Sequence, residues 1–133
     1  KMDINTIHIE LLGNQNEQQL SQLLLTSDIY CQVSHIENSP NSLCEAMMVG
    51  IPIVATNAGG SVSLLQDKIE GIIVQDGDYH AIAAALLHLS NDFNQAVIFG
   101  KNARNTALER HKKDVITQEM HAIYKKINTN SIR

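Results

Sequence analysis

A short run without a charged or hydrogen-bonding side chain, Ile51-Pro-Ile-Val-Ala55, stands between Gly50 and the pair Gly59-Gly60. A strand with apolar side chains on both faces must be covered on both, as a strand inside a parallel sheet is. The residues just before it, Ala46 to Val49, read as a short apolar helix. Helix, glycine, buried strand and glycine turn form an α/β unit, and the rest of the chain is read around that unit.

On either side the pattern repeats. Ile7, Ile9 and Leu11 alternate and predict a strand ending at Gly13. Leu20, Leu23 and Leu24 predict a helix over about Glu17 to Thr26. Ile29, Cys31 and Val33 share one face of a second strand, and Gly71–Val74 reads as a fourth after the helical stretch SVSLLQD. Three helices follow. One has Ile82, Leu86 and Leu89 inward, a longer one to about Arg110 carries Phe93, Ala96, Val97, Gly100 and Ala107, and the last carries Ile116, Met120, Ile123 and Ile127. Residues from Asn128 to Arg133 read as a tail. Four strands alternating with helices predict an α/β fold, a doubly wound, Rossmann-like parallel sheet, with residues 1–133 as a single domain.

Composition narrows the partners. Ten basic against fourteen acidic residues give a net charge of -4, with no dense basic run before the C-terminal end. That balance speaks against nucleic acid as the partner. Cys31 and Cys44 form no C-x-x-C pair and are expected as free thiols in a reducing, cytoplasmic setting. The six histidines are scattered, and only His35-x-Glu37 sets a possible ligand pair together, so no metal site is expected.

In doubly wound sheets ligands bind beyond the carboxyl ends of the strands. The loop Ser34–Ser42 and the turn Thr56–Gly60 leave such ends and should open onto one rim. Two helix starts are open: Ser39 as N-cap before Pro40, or Ser42 as N-cap in a capping box with Glu45. Either exposes backbone N–H groups suited to phosphate oxygens. Gly59-Gly60 permits close backbone approach or positive φ. Glu37 reads as a solvated loop carboxylate or as an acceptor for sugar hydroxyls, and Glu45 as a helix cap or as such an acceptor.

Taken together, ENSPNSLCEAMMVGIPIVATNAGG, from Glu37 to Gly60, resembles the donor-binding signature of retaining GT-B glycosyltransferases of the large sucrose-synthase/mannosyltransferase-like family (family 4-like, group 1). Matching positions are Glu37, Pro40, Asn41, Glu45, Ala46, Met47, Gly50, Pro52, Gly59 and Gly60, and the likeness covers roughly residues 7–108. The resemblance implies the partial C-terminal, donor-binding domain of an enzyme that transfers a sugar from a nucleotide-sugar with retention, in polysaccharide or glycoconjugate assembly. By it, Glu37 is catalytic and holds donor-sugar hydroxyls, and Glu45 holds the ribose. Backbone N–H groups of Asn41, Ser42 and Leu43 meet sugar or pyrophosphate beside Gly59 and Gly60. No cofactor or divalent metal is implied. The acceptor, a glycan or lipid-linked molecule, would be met through an N-terminal domain absent here, so the 133-residue chain alone is expected to be inactive and to self-associate. The setting implied is cytoplasmic, including the inner face of the membrane.

Two departures stand out. Ser63 occupies the place of the family's glutamate after the glycine pair, and the family's basic Arg/Lys pair falls upstream of this chain. Two other readings share the scaffold: a nucleotide- or phosphate-binding regulatory module on a flavodoxin-like sheet, and a domain used only for protein association.

Overall fold

The computed structural model describes residues 8–130. In chain order the elements are α1 (Glu17–Thr26), β1 (Tyr30–Gln32), α2 (Asn41–Val49), β2 (Ile53–Thr56), α3 (Ser61–Leu64), β3 (Ile72–Val74), α4 (Tyr79–Asn91), α5 (Phe93–Arg110) and α6 (Lys113–Asn130). The three strands form a parallel sheet in the order β1-β2-β3. Tyr30 pairs with Ile53 and Gln32 with Ala55, while Val54 pairs with Ile72 and Thr56 with Val74.

Every residue of β2 is buried, as its composition requires. Its alternation divides the core. Ile53 and Ala55 pack with Leu43, Ala46 and Met47 of α2, whereas Val54 packs with Ala85 and Leu89 of α4. The α/β, doubly wound arrangement read from the sequence is thus present. α5 bridges both layers, giving Ala96 and Phe99 to one cluster and Ala103 and Ala107 to the other.

Several local expectations are corrected. Among the described residues the sheet has three strands, because residues 8–12 adopt no regular structure, with Ile9 and Leu11 exposed; Ile7 lies outside the described residues. A strand needs a ladder partner, and no described strand pairs with this segment. In β1 the most buried side chain is Gln32, while Val33, expected inside, is exposed. In α5 the inward residues are small, apart from Phe99, and Phe93 and Val97 face solvent. A side chain at Gly100 would put its Cβ 2.1 Å from the Gly50 carbonyl oxygen, so α5 rests directly on the end of α2. A stripe chosen for that contact favours small residues over bulky ones. The last helix continues through Asn130, past the expected start of the tail at Asn128.

Candidate functional site

The site begins with how α2 starts. Pro40 has φ -72° and ψ 111°, an extended conformation, and is the N-cap; no side chain caps the helix. The residue before a proline is also biased away from helix, which keeps Ser39 out. Asn41, Ser42 and Leu43 are therefore the first three helical residues, and the first helical hydrogen bond runs from Cys44 N–H to the Pro40 carbonyl at 3.3 Å. Both expected starts are corrected: Ser39 is not the N-cap, and Ser42 is the second helical residue, two positions past the N-cap, so it forms no capping box with Glu45. The consequence favours a ligand. The N–H groups of Asn41, Ser42 and Leu43 have no intrahelical acceptor, which is the state in which a helix N-terminus receives an anion.

Glu45 is exposed on the fifth helical position of α2 and does not cap it. It lies on the wall of a groove of about 610 Å³ between α1 and α2, with Asn41, Cys44, Gln15, Asn16 and His111 among the other lining residues. That volume is within the range of small-ligand pockets. Asn16 is shaped for this place by a capping box at α1: its side chain accepts from Gln19 N–H at 2.9 Å, and the Gln19 side chain accepts from Asn16 N–H at 3.0 Å.

Glu37 lies outside that groove, in the loop that precedes α2. One carboxylate oxygen accepts from Ser34 Oγ at 3.3 Å and the other from Asn38 N–H at 3.2 Å. The root of the loop is fixed by Thr56 Oγ1, which donates to the Ser34 carbonyl at 2.6 Å. Beneath it runs the glycine pair. A Cβ at Gly59, whose φ is +49°, would fall 1.6 Å from the Glu37 carbonyl oxygen, and one at Gly60 would fall 2.0 Å from that of Asn38. The close approach read from Gly59-Gly60 is real, and the backbone that approaches is the Glu37 loop.

Tyr30 is near enough to both carboxylates for their charges to act on its hydroxyl. Burial pushes its hydroxyl pKa up, against a hydrogen bond with the Ser42 side chain that lowers it, and the Glu45 charge adds to the rise. Its hydroxyl donates to Gln32 Oε1 at 3.2 Å, and Gln32 Nε2 donates to the buried Ser61 Oγ at 3.3 Å. Burial likewise raises the Cys44 thiol, with Arg110 nearby pulling it down. Cys31 and Cys44 are both free thiols.

The structure thus sets Glu37, Asn41, Ser42, Leu43, Glu45, Gly59 and Gly60 around one helix start, with Leu43 reaching it through backbone only, since its side chain is fully buried. Sequence reasoning passed over Ser34, Tyr30, Gln15, Asn16 and His111. The spacing Ser34-x-x-Glu37 and the box Asn16-x-x-Gln19 carried signals for two of them; His111 carried none. Among the described residues no group of three or more His, Cys, Asp and Glu is placed to hold a metal ion. No described helix is long and apolar enough to cross a membrane.

Comparison with known proteins follows the same lines. N-acetyl-alpha-D-glucosaminyl L-malate synthase of Bacillus anthracis is 28% identical over 125 residues, covering 91% of this chain and 32% of that one. The amylovoran biosynthesis glycosyltransferase AmsK of Erwinia amylovora is 32% identical over 88 residues, covering 62% and 22%. The chain therefore spans about a third or less of the length of these relatives. Among solved structures, Anabaena HepE in complex with UDP-glucose superposes with a TM-score of 0.75 at 24% identity, covering 81% of this chain and 30% of that one. The C-terminal domain of the group 1 glycosyl transferase LpcC from Francisella tularensis gives a TM-score of 0.68 at 24% identity, covering 79% and 53%. These likenesses establish a shared fold, that of a GT-B C-terminal domain. The family model described as glycosyl transferases group 1 matches residues 4–106, a span that contains the helix start, both glutamates and the glycine pair. On that match the chain belongs to the glycosyl transferases group 1 family.

Proposed function

We propose that this chain is the donor-binding part of a retaining glycosyltransferase of the family 4 type, which moves a hexosyl unit from a nucleotide-sugar to a glycan or lipid-linked acceptor. The observation that carries the reading is the uncapped start of α2. Three backbone N–H groups without intrahelical acceptors open α2, with Glu37 in the loop before them and Glu45 on the groove wall after them. A nucleoside diphosphate sugar has the complementary order: ribose hydroxyls, two phosphates, sugar hydroxyls. Glu45, in the groove, would accept from the ribose, the N–H groups would meet the diphosphate, and Glu37 would accept from the sugar.

The names of the relatives agree with a role in polysaccharide or glycoconjugate assembly, and HepE was solved with UDP-glucose. The family match weighs against the flavodoxin-like regulatory module. In this reading helix dipole and N–H groups answer the phosphate charge, and no divalent ion is needed at the donor site. The test uses the full-length enzyme with labelled nucleotide-sugar donor. Glu37→Gln should reduce turnover more than it reduces binding of the free nucleoside diphosphate, and EDTA should leave transfer unchanged. Loss of transfer in EDTA, restored by Mg²⁺ or Mn²⁺, would contradict the metal-free site, and unaltered turnover in Glu37→Gln would contradict its role.

A further inference from the structure

We propose that His35 and Asp76 form a clasp across the rim that positions Glu37. His35 belongs to the loop that leaves β1, Asp76 to the turn that leaves β3, and β2 runs between those strands. His35 Nδ1 lies 2.6 Å from Asp76 Oδ1, so the contact reaches over the exit of the central strand and ties two loops that the sheet itself does not join. Asp76 Oδ1 is buried and accepts no hydrogen bond among the described residues, so its charge is met by the close approach of the His35 imidazole alone.

The position of His35 gives the clasp its effect. It follows Ser34, whose carbonyl is anchored by Thr56 Oγ1, and it precedes Glu37 by two residues. Between them Ile36 is 92% exposed, so apolar packing does not hold this part of the loop. The Ser34 Oγ contact to Glu37 is long, at 3.3 Å, and Gly59 and Gly60 only support the loop from below. A tie on the outer side is what keeps the loop from swinging away from that floor. His35 and Asp76 are thus positioning residues that act through the loop on the Glu37 carboxylate. That Glu37 meets a donor sugar rests on the function proposed above; the clasp itself does not.

The test reads the loop directly in the 133-residue chain. Backbone ¹⁵N relaxation should give the Asn38 amide, which donates to Glu37, an order parameter near the rigid value of about 0.85. His35→Ala and Asp76→Asn should each lower it below about 0.6, with the Leu89 and Ala103 amides unmoved and the melting temperature kept. The double variant should fall no further than either single one. His35→Asn, with a side-chain amide close to where the ring nitrogen stood, should restore much of the rigidity. An Asn38 amide equally rigid in both single variants, or a double variant with summed losses, would overturn the clasp. UDP titrated into the wild-type chain separates the two ideas: absence of binding would sink the functional reading and leave the relaxation result to stand by itself.

Discussion

Glu37 and Glu45 are chemically the same side chain in two settings. Glu37 has both oxygens engaged, by Ser34 Oγ and by the Asn38 N–H. Glu45 is exposed on a groove wall and does no capping work. Replacing Glu45 by Gln should therefore leave the fold nearly untouched, since surface changes away from caps and buried networks usually stay within about 0.5 kcal/mol. Its effect on nucleotide binding should be larger. Hydrogen bonds to a charged acceptor contribute about 1.5–3 kcal/mol, and losing part of that weakens binding roughly tenfold. Calorimetric titration of UDP should show that loss while thermal unfolding stays near wild type. Equal UDP affinity in the two proteins would remove Glu45 from the site.

At the scale of elements, the contact that sets the site is α5 on α2. Gly50 ends α2 at φ +84°, and Gly100 sits against its carbonyl. Arg104 on the next turn donates to the carbonyls of Met48 and Val49. Gly100→Ala would force backbone apart, and overpacking of that kind costs about 1–3 kcal/mol. Its melting temperature should fall by several degrees; an unchanged value would mean the helices are less tightly joined than described. This contact also shows what the sequence conceals. β2 was legible because a wholly apolar strand has one environment, and the Glu37–Glu45 spacing was legible because it occurs in one stretch of chain. The inward face of α5 was legible in part. Ala96, Gly100 and Ala107 are buried as read, but Phe99 and Ala103 were missed and Phe93 and Val97 were placed there instead, since hydrophobic patterning favours bulky residues where close helix approach selects small ones. The start of α2 was misplaced by one or two positions because two serines offered caps while the fixed conformation of Pro40 decided the matter. The first expected strand failed because alternation states a preference, and only a ladder partner turns it into a strand. His35–Asp76 and His111 had no sequence signal, being brought to the rim by folding alone.

For the whole molecule, three surfaces stand open among the described residues. The outer edges of β1 and β3 have no ladder partner there, and α6 exposes Ile116, Met120 and Ile123. Unpaired edges and apolar stripes attract partners. The isolated chain should self-associate, its weight-average mass in sedimentation rising with concentration, and a single monomeric species at high concentration would contradict this. The central claim is that the uncapped start of α2 receives the diphosphate of a nucleotide-sugar. Its most direct measurement is a ¹⁵N–¹H titration of the chain with UDP and, separately, with uridine. UDP should shift the amides of Asn41, Ser42 and Leu43 strongly, uridine should shift residues of the groove around Glu45 while leaving those three amides nearly in place, and the difference is the phosphate. If UDP leaves the Asn41, Ser42 and Leu43 amides where they are, or moves them no more than uridine does, the account of this site is wrong.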